Sequence, residues 1–418
     1  MTGFERDALG AAMLAGTPVS DLLNRAGVDT PAYVYDLGAM AAEIRAAAEG
    51  FQGAPGIVAY AVKANSAGSI IRALAREGAG ADVVSGAELE LALRSGVPPD
   101  RIVMSGVAKT DPELDLAIGS SILSIQIESI DEFERVAARA RALGQQASIS
   151  VRLNPGIAID SHAHVATGHD QSKFGISLAD LGAAWQGIDR AADVLRAVGV
   201  STHIGSMLRS VEPYLEAARV VCEVAQARMS SGGWLKFVDF GGGFAIDYGS
   251  EPAPEPVAFV NAGIELLRRS GLERLALVIE PGRALVGPHG VLVASAIGVK
   301  NTQGTRWFLV DAAMNDLLRP ALYGARHRIE PLERPPGGSS WRVAGPVCES
   351  ADDFGDHPLG DPPPDRVVIR DAGAYGFSMA SEYNGRPLPA EIFARDSELV
   401  SVAPSPGRGR WLESRLKA

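Results

Sequence analysis

The sequence predicts an α/β protein: a closed, TIM-like (β/α)8 barrel with a second, mainly β domain formed by the C-terminal part plus the N-terminal segment. Three observations predict it. Between about residues 57 and 281 one unit repeats: a short β-branched run, a small-residue turn, then a segment with helical spacing. The runs are nearly all apolar, as suits strands of a parallel sheet covered on its faces. After Arg283 long helical patterns are sparse, and strand-like runs are separated by Pro/Gly-rich turns. These shifts place the barrel at residues 37–282 and the second domain at 1–36 and 283–418.

Eight runs are expected as barrel strands: Ile57–Val62, Ala81–Val84, Arg101–Met104, Ile122–Ile127, Ser148–Leu153, Val200–Ile204, Phe237–Phe240 and Leu275–Ile279. That number suggests closure, with an open doubly wound sheet as the alternative. Helix starts are readable where Ser85 precedes Glu88, Thr110 precedes Glu113 and Ser129 precedes Glu132, each an N-cap hydroxyl three residues before a carboxylate. In the second domain the expected strands are Val291–Val299, Arg306–Val310, Trp341–Val343, Arg366–Ile369 and Glu398–Val402, joined by the early run Ala32–Tyr35. The proline-rich stretch His357–Pro364 reads as a loop.

Composition limits the function. The chain has 418 residues, 46% hydrophobic and 21% charged, enough for a large core and more than one domain. A net charge of −11 without a Lys/Arg run argues against nucleic acid and leaves a small molecule as the expected partner. Only Cys222 and Cys348 occur, so no disulfide framework is expected, and no Cys/His spacing suggests a metal site. No basic segment followed by an apolar one opens the chain, and no stretch is apolar enough to span a bilayer. A cytoplasmic enzyme is the expectation.

The chemistry-bearing residues gather at the C-terminal ends of the barrel runs, where barrel enzymes keep their active sites. Lys63 closes the first run. Burying a lysine cation in an apolar strand is costly, so an amine that must shed its proton to attack a carbonyl explains it better than a structural role. Gly241, Gly242 and Gly243 end the seventh run; they could bring backbone N–H groups onto a phosphate or simply form a tight turn. Glu280, Gly282 and Arg283 end the eighth, where the acid could hold a heterocyclic nitrogen protonated or pair with a base at the barrel mouth. His203 shares this rim, with a satisfied core histidine as the alternative. Cys348, flanked by Glu349 and Asp352, leans towards a polar site, whereas Cys222 in the helical stretch Ala217–Ala227 reads as a small buried hydrophobe.

The lysine run, His203-Ile204-Gly205-Ser206, the triple glycine and Glu280-Pro281-Gly282-Arg283, in this order, resemble the fold-type III pyridoxal-phosphate decarboxylases. Within that group Ser172–Gly175, Asp311–Asp316, Arg319–Tyr323, Gly345–Ser350 and Asp371–Gly376 resemble the diaminopimelate decarboxylase family, and the likeness covers about residues 30 to 395. It implies a pyridoxal 5'-phosphate lyase that converts meso-diaminopimelate to L-lysine and CO2, the last step of lysine biosynthesis. It further implies that Lys63 bonds the cofactor covalently, His203 stacks on its ring and Glu280 pairs with the ring nitrogen. Ser206, Gly242, Gly243, Gly282, Arg283 and Tyr375 would surround the phosphate. Arg283, Arg319 and Tyr323 would meet the substrate's distal carboxylate and Glu349 its distal ammonium, with Tyr375 also lining the substrate's site. Cys348 would supply a proton across the interface of a head-to-tail homodimer. Thr202 stands where cysteine is commonest before the histidine, and Ala351 where glycine is commonest after the Glu-Ser pair. The alternatives are a related decarboxylase of ornithine, arginine or a carrier-bound amino acid, and a non-catalytic decoy of the same fold. Arg319 and Glu349 together favour a substrate bearing both distal groups, and the retained Lys63 and Cys348 argue against the decoy.

Overall fold

The structure, a computed structural model, describes residues 3–157, 173–249 and 251–417. The chain divides into two compact units: Glu43–Ile246 with Pro252–Ala284, and Met1–Ala42 with Asp247–Glu251 and Leu285–Ala418. The helix Leu37–Glu49 begins in one and ends in the other.

The first unit is a closed parallel barrel. Its strands in chain order are Gly56–Ala61, Gly80–Val83, Ile102–Met104, Ser124–Ile127, Ala147–Asn154, Leu195–Thr202, Phe237–Gly242 and Ala276–Glu280. Neighbours pair in parallel throughout, and the eighth strand returns to the first, with Val278 opposite Ile57. Closure rules out the open-sheet alternative. The expected helix starts form as read: Ser85 accepts from the Glu88 N–H and Ser129 from the Glu132 N–H, both at 3.2 Å, while Thr110 donates backbone N–H and hydroxyl to Glu113 at 2.8 Å. At the N-terminal end the interior is apolar, with Ile57, Val103, Leu123, Val198, Phe237 and Val278 in one buried cluster. Gly199 makes room there, since a Cβ on it would lie 2.5 Å from the Phe237 ring.

In the second unit the early strand Ala32–Asp36 runs antiparallel to Gly290–Thr302 and parallel to Ala390–Arg395. Gly290–Thr302 also pairs with Thr305–Val310 and Arg366–Ile369, and Glu398–Ala403 pairs with Ala390–Arg395. Leu22, Leu23, Val34, Val291, Val293, Val368 and Ile392 fill its core. The sequence reading missed the strands Phe4–Arg6, Ala12–Leu14, Ile329–Pro331 and Ala390–Arg395. It was also wrong about the start of His357–Pro364. His357 and Pro358 complete an antiparallel strand, Asp353–Pro358, which pairs with Ser340–Ala344 and is held by an Arg342 Nε–Asp353 bond of 2.8 Å. Among the described residues no helix is long and apolar enough to cross a membrane.

Candidate active site

Lys63 does not end the first strand, as its apolar surroundings suggested. The strand stops at Ala61, and Lys63 sits in the short 3-10 turn Val62–Ala64 that follows, with about a third of its side chain exposed. Its ammonium pairs with Asp82, a fully buried residue of the second strand, which also accepts from the Ser105 hydroxyl. Burial opposes the Asp82 charge, yet Lys63 and that hydroxyl hold the carboxyl below its usual range.

Four further strands supply buried polar groups. Gln126, on the fourth, donates its side-chain N–H groups to Asp239 Oδ2 at 2.8 Å and Glu280 Oε1 at 2.9 Å. Arg152, on the fifth, pairs with Glu128 at 2.7 Å and lies 4.9 Å from the Phe174 ring, while Glu128 also accepts the Gly175 N–H at 3.0 Å. Phe174 and Gly175 are thereby tied to the rim; Ser172 of the same motif lies outside the described residues. Asp239, on the seventh, accepts the Gly241 N–H at 2.8 Å. Burial pushes its carboxyl up to about 7. Glu280, last residue of the eighth strand, is raised well above the usual range by burial and then by its neighbours Asp239 and Asp82.

His203 follows the sixth strand directly, and its Nδ1 accepts the Gly242 N–H at 3.2 Å. Enclosure, with Arg152 and Lys63 nearby, lowers its pKa to about 3, so the imidazole is neutral. That acceptor role leaves any ring proton on Nε2. The glycine turn packs so closely that a Cβ on Gly243 (φ +85°) would lie 1.9 Å from the Gly205 carbonyl oxygen, and one on Gly242 2.0 Å from that of Glu280. One on Gly282 would lie 2.9 Å from the Ala64 Cβ, beside Lys63. Arg283 Nη2 donates to the Ser206 hydroxyl at 3.3 Å. Lys63, His203, Ser206, Gly242, Gly243, Glu280, Gly282 and Arg283 thus share one rim.

The remaining candidates belong to the second unit. Arg319 is buried, donates to His327 Nε2 at 2.6 Å and lies 4.8 Å from the Tyr248 ring. His327 Nδ1 donates to the Arg370 carbonyl at 2.8 Å, which leaves Nε2 as the acceptor Arg319 needs. Tyr323 ends the short helix that Arg319 begins. Cys348 is exposed, unlike Cys222, and its N–H donates to Asn384 Oδ1 at 2.9 Å. Glu349 accepts from the Tyr383 hydroxyl at 2.6 Å. Buried Asp352 anchors that loop by accepting the N–H groups of Met314 and Val347 at 2.7 and 2.8 Å. Tyr375 adopts a left-handed φ of 56°, uncommon for a bulky side chain. Cys222, by contrast, is buried and its thiol pushed up to about 11, as an inert core residue.

Residues 37–287 match the family model described as pyridoxal-dependent decarboxylase, pyridoxal binding domain. A diaminopimelate decarboxylase of Zymomonas mobilis is 36% identical over 380 residues, covering 89% of each chain, and one of Neisseria meningitidis is 38% identical over 371 residues, covering 88% of this chain and 90% of its own. This chain belongs to the diaminopimelate decarboxylase family. Two solved structures agree. The Helicobacter pylori diaminopimelate decarboxylase complexed with L-lysine superposes with a TM-score of 0.88 at 34% identity, over 95% of this chain and 99% of that one. The M. jannaschii diaminopimelate decarboxylase, also with L-lysine, gives 0.89 at 32% identity, over 99% and 98%.

Pyridoxal 5'-phosphate is the cofactor of this pyridoxal-dependent decarboxylase, and the rim fits it on chemical grounds. Gly243 leaves space that any side chain would fill, beside a seryl hydroxyl and a guanidinium suited to a phosphate. A lysine, an enclosed neutral imidazole and a buried carboxyl complete the set. Sequence reasoning missed Asp82, Gln126, Arg152 and Asp239. Each is a polar or charged residue inside an apolar strand, the same signal that singled out Lys63.

Proposed function

We propose that this protein decarboxylates meso-diaminopimelate to L-lysine and CO2 with pyridoxal 5'-phosphate. The observation that carries the reading is the gathering of Lys63, His203, Glu280 and the Gly243–Ser206–Arg283 cradle on one barrel rim, in a chain whose relatives bear that name. When bound, the cofactor acts as the sink for the electron pair left as CO2 departs. Lys63 is the residue that bonds it, and Asp82 stabilises the lysine's charge whenever that amine is free and protonated. Neutral His203 offers a flat face for the ring. Glu280 pairs with the ring nitrogen, a cationic N–H that offsets the repulsion this carboxyl otherwise meets from Asp239 and Asp82. Ser206, Gly242, Gly243, Gly282, Arg283 and Tyr375 hold the phosphate.

Substrate choice rests on residues that bear opposite charges. Arg283, Arg319 and Tyr323 meet the distal carboxylate and Glu349 the distal ammonium, with Tyr375 also lining the substrate's site. Arg319 suits this role, because its bond to the His327 Nε2 and its place over the Tyr248 ring orient the guanidinium without pairing it to a carboxylate. Cys348, exposed on its loop, protonates the product's carbon as part of a head-to-tail homodimer in which it serves the partner's site. The domain division at 37–282 and the cytoplasmic location belong to the same reading. Purified protein with pyridoxal phosphate should release CO2 from meso-diaminopimelate and far more slowly from its LL isomer, lysine, ornithine and arginine. Faster release from ornithine or arginine would make it a decarboxylase of that amino acid instead.

A further inference from the structure

Gln126 has no part in the reading above, yet it lies at the centre of the buried acids. It is 2% exposed on the fourth barrel strand, and its Nε2 sits 2.8 Å from Asp239 Oδ2 and 2.9 Å from Glu280 Oε1. The amide turns its nitrogen to both acids, so both of its hydrogens are committed. The strand beneath is fixed as well. Buried Lys109 donates to the Gln126 carbonyl at 2.7 Å and to Glu132 at 2.9 Å. Beyond Asp239 the chain of bonds continues to the Gly241 N–H, at the start of the glycine turn.

We propose that Gln126 is a positioning residue for the carboxylate that meets the cofactor's ring nitrogen: its amide clamps Glu280 to Asp239 and, through Asp239, to the glycine turn that cradles the phosphate. The inference rests on the pairing of Glu280 with the ring nitrogen proposed above. A neutral two-hydrogen donor suits this place for a physical reason. Burial raises the proton affinity of both acids, and the charges of Asp239 and Asp82 raise that of Glu280 further, while a hydrogen bond from Glu280 lowers that of Asp239. A lysine or arginine between them would neutralise Glu280 and compete with the ring nitrogen, whereas an amide satisfies one oxygen of each acid and leaves the Glu280 charge for the cofactor. The clamp also fixes the spacing between the ring-nitrogen acid and the phosphate cradle.

The test uses holoenzyme carrying Gln126→Leu, which removes the donors at nearly constant size, beside Glu280→Gln and the double variant. Gln126→Leu should weaken pyridoxal-phosphate retention in equilibrium dialysis roughly 10-fold, shift the cofactor's absorbance towards that of Glu280→Gln, and lower kcat about 10-fold with KM within about threefold. Gln126→Asn, with the same donors on a shorter stem, should recover part of each loss. In the Glu280→Gln background Gln126→Leu should change retention and kcat by less than about threefold, because its effect runs through Glu280. Should Gln126→Leu fail to fold, Gln126→Met carries the same comparisons. Parent-like retention and absorbance, or equal losses in both backgrounds, would overturn the inference. An unimpaired Glu280→Gln enzyme would remove the ring-nitrogen pairing itself; an impaired one beside a parent-like Gln126→Leu would overturn the clamp alone.

Discussion

The two ends of the barrel interior are built from the same strands and do opposite things. At the N-terminal end Ile57, Val103, Leu123, Phe237 and Val278 pack as an apolar cluster that needs no partner beyond close contact. At the C-terminal end those strands and their neighbours carry Asp82, Gln126, Arg152, Asp239 and Glu280, all buried and all bonded to another polar group. Moving a few residues along a strand exchanges a core for a network of charges. The apolar end contributes the burial that offsets the cost of holding the charges out of water. The charged end is stable only while each member keeps its partner, which is the condition a reactive site requires.

The comparison predicts that the two ends fail differently. Lys63→Ala should lower turnover more than 1000-fold, with loss of the cofactor's visible absorbance, while circular dichroism stays that of the parent. Lost secondary structure would mean that the rim charges hold the barrel together. Phe237→Ala should do the reverse. It should cost about 3–5 kcal/mol in urea unfolding and leave kcat of the folded enzyme within about threefold. A large kcat loss without destabilisation would erase the distinction between the ends.

The same contrast explains what was legible in the sequence. Barrel strands announced themselves because burial on both faces leaves near-continuous apolar runs, and the caps at Ser85, Thr110 and Ser129 are local features with local causes. Lys63 stood out as a charge in such a run. Asp82, Arg152 and Asp239 carried the same mark and were passed over because no motif pointed at them; only the fold shows that they converge. Strand Asp353–Pro358 reads Asp-Phe-Gly-Asp-His-Pro and is only partly buried at an edge of its sheet, so it has no apolar alternation to read. Strand Ala390–Arg395 finds its partner at Ala32–Asp36, at the other end of the chain, and no local pattern encodes that pairing. The C-terminal helix Gly407–Leu416 opens Gly-Arg-Gly-Arg, a poor helix former.

Buried charge outside the barrel sharpens the comparison. Arg319→Ala should lower kcat/KM for diaminopimelate roughly 30-fold or more, since removing one partner of a desolvated charge-assisted contact costs about 2–5 kcal/mol. Any slow reaction with lysine or ornithine should be far less affected. Equal loss on all substrates would make Arg319 structural, its bond to His327 serving the fold alone.

A smaller effect separates the ends by pH. Glu280 takes up its proton more readily folded than unfolded, so its contribution to stability is complete below about pH 4 and is lost as pH rises through its raised folded pKa. Glu280→Gln mimics the protonated form at every pH. Cofactor-free Glu280→Gln protein should therefore lose less stability than the cofactor-free parent as pH rises from about 5 to 8. Parallel urea-unfolding profiles for the two proteins would show that burial does not raise this carboxyl.

The central claim is that the rim is a pyridoxal-phosphate site anchored on Lys63. Reducing the holoenzyme with borohydride, digesting it and mapping the modified peptide by mass spectrometry tests this most directly. The account predicts a pyridoxyl-phosphate group on Lys63 alone, within the Ala59–Asn65 segment, and none when Lys63→Ala is treated in the same way. A stable adduct on another lysine, or no adduct on a protein that still releases CO2, would contradict it.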